Sequence, residues 1–354
     1  MGPDCEILGV VKADAYGHGA IPVARTALNN GASWLGVALV EEGITLRKSG
    51  IIAPILVLAQ LFPAQAQAAL RYNLSCATAT YEFAEVLSNA AVKEGKKAKC
   101  HVKVDTGMGR IGLHPNQIVN FVKHIAMLPN IEIEGIFTHL ATAEDEDRSF
   151  LYHQLSLFND AIEALRHNGI EAQYYHAANS VAAVTIPEAR FDIVRPGIFM
   201  YGLTPLYGEC AKRIRTELDI VPALSLKTRA AFVKRCPQGA SIGYGATYTT
   251  DRDCTIVTLP IGYADGFPRA LSNCGEVLIK GKKLPVVGRV CMDECMVCAG
   301  DLEVDIEDEV IIIGEQGKEE IAAEDVAEKA RTISHEILCG ISRRVPRVYL
   351  WKMQ

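Results

Sequence analysis

Val10-Val-Lys12-Ala-Asp-Ala-Tyr16-Gly-His-Gly19 is the stretch on which the reading of this chain turns. The apolar run Ile7–Lys12 has strand character and ends in a lysine. Desolvation there would lower the amine's pKa and make Lys12 a candidate Schiff-base nucleophile. The plainer alternative is a lysine whose stem lies along apolar surface with its charge in water. Seven further β-branched runs follow outward from this point, at Trp34–Val40, Pro54–Ala59, Leu74–Thr80, Ala98–Asp105, Ile131–His139, Gln173–Ala178 and Phe191–Met200. Stretches of helical character lie between them, at Ile21–Asn29, Pro63–Tyr72, Tyr81–Lys93, Asn116–Met127 and Phe150–His167. Strand–helix alternation argues for parallel strands with crossover helices. Eight strand candidates in succession suggest a closed (β/α)8 TIM-type barrel, with a doubly wound sheet as the alternative. Barrel chemistry sits where strands end, so Lys12 stands where a reactive group is expected.

The texture changes near Gly202. Ile220–Val233, Thr255–Ile261, Glu276–Ile279, Lys283–Val287, Glu294–Val297 and Glu309–Ile313 read as strands punctuated by turn residues. One helical stretch follows at Ala322–Ile333, and Arg344-Val-Pro-Arg-Val-Tyr349 reads as a strand-like closer. This is a mostly antiparallel C-terminal β domain, with Leu203–Leu218 as the linker. The expected division is residues 1–203 for the barrel and 204–354 for the β domain. No internal repeat or low-complexity tract interrupts either part.

Composition bounds the function. The 354 residues carry a net charge of −6, and 49% are hydrophobic, enough to bury two cores. Disorder is excluded for the whole chain, and mild acidity argues against a nucleic-acid surface. No apolar run is long enough to span a bilayer, and no signal peptide opens the chain. The 11 cysteines are odd in number and scattered. They read as reduced thiols in a cytoplasmic protein, not as a disulfide framework. Cys291, Cys295 and Cys298 have no second half of a metal-ligand set, so no metal is expected.

Val11-Lys12-Ala-Asp-Ala-Tyr16-Gly-His-Gly19 resembles the lysine motif of the alanine racemase family, which binds pyridoxal 5′-phosphate (PLP). Further matching motifs occur in the family's order: Lys103-Val-Asp-Thr-Gly-Met-Gly-Arg110, Thr138-His139-Leu-Ala, His176-Ala-Ala-Asn179-Ser180, Val194-Arg195-Pro-Gly197-Ile198, Gly243-Tyr244-Gly, Gly262-Tyr263-Ala-Asp-Gly266, Gly288-Arg-Val-Cys-Met292-Asp293 and Arg344-Val-Pro-Arg347. The resemblance covers nearly the whole chain. It implies a PLP-binding barrel plus a C-terminal β domain, and a racemase acting on L and D enantiomers of a small amino acid by two bases.

The resemblance also implies roles. Lys12 would hold PLP and act as one base, with Tyr244 as the other. Tyr16, Ser180 and the backbone N–H groups of Gly197 and Ile198 would bind the phosphate. Arg195 would face the pyridine nitrogen, and His139 with Arg195 would relay to Tyr244. Arg110 would touch the cofactor's phenolic oxygen and the substrate carboxylate. Met292 would contact the substrate, and Tyr263 would narrow the entrance. In some relatives the lysine at the Lys103 position is carbamylated and orients the arginine. Because the two halves of each family site come from different subunits, a homodimer with shared sites is implied. The product would be a D-amino acid for peptidoglycan precursors.

The chain departs from the family in two places. His335 stands where alanine racemases usually carry a tyrosine that touches the phosphate and crowds the substrate pocket. A smaller, hydrogen-bonding His335 makes serine an expected substrate beside alanine. This is the pattern of VanT-type serine racemases, which supply D-Ser in vancomycin resistance. A neutral swap that keeps the phosphate contact, in a strict alanine racemase, is the alternative. Second, only eleven residues precede Lys12, where the family has a further strand and helix. The chain therefore reads as a piece of a longer protein, with an upstream membrane domain or an ordinary truncation as explanations. Two other functions compete. A non-catalytic PLP-binding barrel is disfavoured by the second domain, and a decarboxylase of the same architecture by Arg195.

Overall fold

The computed structural model describes residues 5–206 and 208–350. By packing, the chain divides into two units: residues 5–15 with 19–200, and residues 16–18 with the described residues from 201 onward.

The first unit is built on eight parallel strands: β1 (Glu6–Val10), β2 (Trp34–Val37), β3 (Ile55–Val57), β4 (Ser75–Thr78), β5 (Ala98–Lys103), β6 (Ile131–Phe137), β7 (Tyr174–His176) and β8 (Ile193–Val194). Their order is β7-β6-β5-β4-β3-β2-β1-β8, so the strands from β1 to β7 pair with their neighbours in sequence and β8 returns to β1. Pairings such as Leu8 with Trp34, Leu35 with Ile55 and Cys76 with Cys100 set the register. The seam between β7 and β8 has no ladder. It is bridged by Asp192 N–H donating to Tyr175 O at 3.0 Å and Arg195 N–H donating to Ala178 O at 3.1 Å. β2, β3 and β4 are buried along their whole length, as expected for strands covered on both faces. The eight expected strands and the (β/α)8 barrel are thus observed, with the sheet nearly closed. Helices at Ala20–Asn29, Ala66–Arg71, Tyr81–Glu94, Ile118–Ala126 and Ser149–His167 occupy the expected stretches. A helix at Val40–Lys48 was not anticipated, because Gly43 and four charged residues blur its apolar face.

The second unit carries a seven-stranded antiparallel path. β10 (Phe232–Cys236), β13 (Cys254–Leu259), β16 (Cys295–Gly300), β15 (Lys282–Val287), β14 (Glu276–Ile279), β17 (Glu309–Gln316) and β18 (Glu319–Ile321) are neighbours in that order. β9 (Leu226–Arg229) pairs with β17, and β11 (Ser241–Ile242) with β12 (Tyr248–Thr249). Burial alternates along β16, so one face supplies the core and the other does not.

Several local expectations need correction. The run Ile220–Val233 contains a break, because Ala230 N–H turns to Asp308 O between β9 and β10. The expected linker contains a helix at Gly208–Glu217. The helix opening at Ala323 stops where Arg331 adopts a left-handed conformation (φ 58°), and a second helix spans Ser334–Gly340. The C-terminal stretch is not a strand. Arg347 instead gathers the chain end by donating to the carbonyls of Gly17, Ile341, Ser342 and Val345. Among the described residues, no helix is long and apolar enough to cross a membrane.

Candidate active site

Lys12 leaves the C-terminal end of β1, half-buried, and the chain then makes a left-handed turn. Ala13, Asp14, Ala15 and Tyr16 all have φ between 52° and 54°. None is glycine, and each such residue costs about 1–2 kcal/mol relative to the right-handed form. Local hydrogen bonds offset that strain. Ala13 N–H donates to Glu42 Oε1 at 2.6 Å, Ala20 N–H to Asp14 Oδ1 at 2.7 Å, and Ala15 N–H to Val11 O at 2.9 Å. Glu42 Oε2 also accepts from the backbone N–H of Ala38 and Leu39. Glu42 thereby ties the residue after Lys12 to the start of the next helix.

Across the same rim, Arg195 follows β8 and is buried at 4% exposure. Its Nη2 donates to Thr138 O at 2.9 Å and Ala177 O at 2.8 Å, and reaches His139 Nδ1 at 3.2 Å. Its Nη1 lies 2.9 Å from His176 Nδ1. No carboxylate answers this cation among the described residues. Burial pulls its pKa down to about 9, which leaves it charged near neutrality. Burial, followed by the positive charges of Arg195, Lys103, Arg110 and Lys12, holds His139 well below the usual imidazole range. His139 is therefore neutral. Since Arg195 can only donate, His139 accepts at Nδ1 and carries its proton on Nε2.

Ser180 is the first residue of a short helix. Its N-cap is Asn179, whose side chain accepts from Ala182 N–H at 3.0 Å. Ser180 is thus not needed as the cap, and its Oγ accepts from Gly197 N–H at 2.8 Å. Ile198 opens the next helical turn. Lys103 ends β5, 3% exposed, and its Nζ has no hydrogen-bond partner among the described residues. Burial, and then Arg195 and Arg110, hold its pKa well below that of a free lysine. Arg110 is exposed, on a loop braced by Asp105 Oδ1, which accepts from Gly107 and Gly109 N–H at 3.0 Å each.

The second unit holds the remaining candidates. Tyr16 is buried, with its ring 4.8 Å from that of Tyr201 and 5.7 Å from that of His335. Burial raises its pKa to about 12, so it remains a neutral phenol. Tyr244 is 71% exposed, and Met292 and Tyr263 are exposed as well. The loops of Tyr263 and Met292 are locked together by Tyr263 N–H donating to Cys291 O and Ala264 N–H to Met292 O. Gly262 permits this approach, since a Cβ there would lie 2.3 Å from Met292 O.

This donor set fits PLP. The residues gathered on the barrel rim are basic (Lys12, Lys103, Arg110, Arg195) or neutral and polar (His139, Ser180). They suit a ligand that brings a phosphate and an aromatic nitrogen that accepts a hydrogen bond. The sequence did not reveal Glu42, because its partners at Ala13 and Leu39 are defined only by the folded backbone.

Two family models match the chain: "Alanine racemase, N-terminal domain" over residues 1–205 and "Alanine racemase, C-terminal domain" over residues 223–349. The alanine racemase of Halothermothrix orenii is 46% identical over 350 residues, covering 99% of this chain and 91% of that protein. The alanine racemase of Symbiobacterium thermophilum is 49% identical over 344 residues, covering 97% and 90%. The crystal structure of the Bacillus anthracis alanine racemase with bound L-Ala-P superposes with a TM-score of 0.92 at 39% identity, covering 99% of this chain and 90% of that one. These relatives favour the strict alanine alternative over the serine reading. The chain belongs to the alanine racemase family and is a PLP-dependent amino-acid racemase.

Proposed function

We propose that this enzyme interconverts L- and D-alanine with two bases on opposite faces of the substrate, supplying D-alanine for peptidoglycan precursors. The observation that carries the two-base reading is the neutral His139, held by Arg195 with its N–H on Nε2. When bound, PLP withdraws electrons from the substrate Cα and makes its hydrogen acidic. Lys12 would hold the cofactor and move the proton on one face. Ser180 Oγ, the Ile198 N–H, Tyr16 and His335 would bind the phosphate, as would the Gly197 N–H on turning from Ser180 Oγ. Arg195, a donor only, would face the ring nitrogen and keep it unprotonated. Arg110 would orient the substrate carboxylate, for which its planar fork is suited. Met292 and Tyr263 would line the approach.

Tyr244 would serve the other face. A tyrosine titrates near 10, so it needs a donor that stabilises its ionised oxygen. The His139 Nε2–H is such a donor. Because Tyr244 is so exposed in its own unit, the reading includes a homodimer in which each subunit's Tyr244 completes the other's site. The lowered pKa of the Lys103 amine favours the unprotonated form that carbamylation requires.

Incubating either alanine enantiomer with the PLP-loaded enzyme tests the function. Optical rotation is expected to decay to zero without release of CO2. Tyr244→Phe is expected to slow proton removal from L-alanine by about a hundredfold or more while cofactor retention is unchanged. CO2 release would overturn the racemase reading, and a full rate in both directions for Tyr244→Phe would overturn the two-base assignment.

A further inference from the structure

Beneath Arg195, a hydrogen-bonded chain of side chains runs down the barrel interior. Arg195 Nη1 lies 2.9 Å from His176 Nδ1, and His176 Nε2 lies 2.9 Å from His101 Nδ1. His101 Nε2 lies 3.3 Å from Glu134 Oε2. That carboxylate also accepts from Ser75 Oγ and Lys99 Nζ, each at 2.6 Å. Both histidines are fully buried and Glu134 nearly so, while Lys99 is half-buried. Gly135 leaves the space, since a Cβ there would lie 2.3 Å from His101 Nδ1.

The two ends of this chain allow only one arrangement of protons. A guanidinium donates and never accepts, so His176 must accept at Nδ1. Burial keeps His176 and His101 neutral, each with a single N–H. The His176 proton therefore sits on Nε2 and is donated to His101 Nδ1. The His101 proton then sits on Nε2 and is donated to Glu134. Burial by itself would raise the Glu134 carboxyl, but hydrogen bonds from His101, Lys99 and Ser75 bring it down to about 2. It is ionised and can only accept, so all the dipoles point from the cation to the anion.

We propose that Glu134 and His101 are positioning residues for Arg195. They lock His176 in the tautomer whose Nδ1 lone pair fixes the guanidinium at the rim. The inference rests on the reading above only where Arg195 is taken to face the cofactor's ring nitrogen.

Glu134→Gln puts the proposal at risk in a directed way. Lys99 can only donate, so it holds the amide oxygen and turns the amide NH2 toward His101. His101 Nε2 must then accept, both imidazoles reverse, and His176 presents N–H to the N–H of Arg195. Expected in the holoenzyme are Nε2–H tautomers for both histidines by 15N NMR, and Nδ1–H tautomers in Glu134→Gln. The variant's kcat/KM for L-alanine should fall about ten- to hundredfold, the range for a mispaired buried N–H. Adding Lys99→Met frees the amide to turn its oxygen toward His101. The double variant should regain the wild-type tautomers and most of the rate. A merely structural network would be worsened by the second substitution. An Nδ1–H tautomer in the wild type, a wild-type rate in Glu134→Gln, or a double variant no faster than the single one would each overturn the proposal. If the racemase reading itself were wrong, the wild type would not racemise alanine, and the tautomers would still report on the chain.

Discussion

At position 335 the family's usual tyrosine is a histidine, and the choice between alanine and serine comes down to what that side chain faces. Its ring lies 5.7 Å from the ring of Tyr16, the tyrosine proposed to touch the phosphate. A histidine packed on that phenol can keep a polar contact at the phosphate end of the pocket without reaching the substrate's β-carbon. His335→Tyr is therefore expected to leave the ratio of kcat/KM for L-alanine over L-serine within about threefold of wild type, with alanine preferred in both. A site that hydrogen-bonds a substrate hydroxyl behaves differently. There the substitution would raise the ratio tenfold or more, because the bond to serine would be lost. Paired kinetics on the two amino acids separate these cases.

The turn after β1 shows how one element can depend on another distant in sequence. Four successive non-glycine residues in left-handed conformation are held beside Lys12, with Glu42 clamping the first of them. Glu42 accepts three backbone N–H groups, from Ala13, Ala38 and Leu39. Glu42→Gln retains one carbonyl oxygen and loses the charge. It is expected to lower the stability of the enzyme by about 1–3 kcal/mol in denaturant titration, since bonds to charged groups lie in that range. Unchanged stability would mean that the carboxylate does not offset the strain of the turn. This element also marks where reading the sequence runs out. That Lys12, His139 and Arg195 stand just past strand ends was legible in the strand runs, while the roles proposed for them rest on the motif resemblance. The left-handed turn was not legible, since nothing in Ala13-Asp-Ala-Tyr16 demands positive φ. The His101–Glu134 contact was equally hidden, because it depends on the register shift that β5 makes against β6 between Cys100 and His101. Strand periodicity located those strands but does not encode such a shift.

For the whole molecule, the decisive question is which copy supplies Tyr244. Lys12 and Arg195 stand on the barrel rim, and Tyr244, Tyr263 and Met292 are exposed on the second unit. Exposed aromatic and methionine side chains braced by rigid loops are suited to a protein surface that meets another copy. In a two-fold dimer with shared sites, each site combines Lys12 of one subunit with Tyr244 of the other. Lys12→Ala and Tyr244→Phe homodimers would then each be inactive in both sites. A heterodimer of the two variants brings together an intact Lys12 and an intact Tyr244 in one site and both substitutions in the other. Equal mixing after dissociation and reassociation gives heterodimers in half of the molecules, so about a quarter of the wild-type activity should return. Sites contained within a single chain cannot complement in this way. The mixture would then stay as inactive as its components, and the dimer assignment would fall while the barrel chemistry remained.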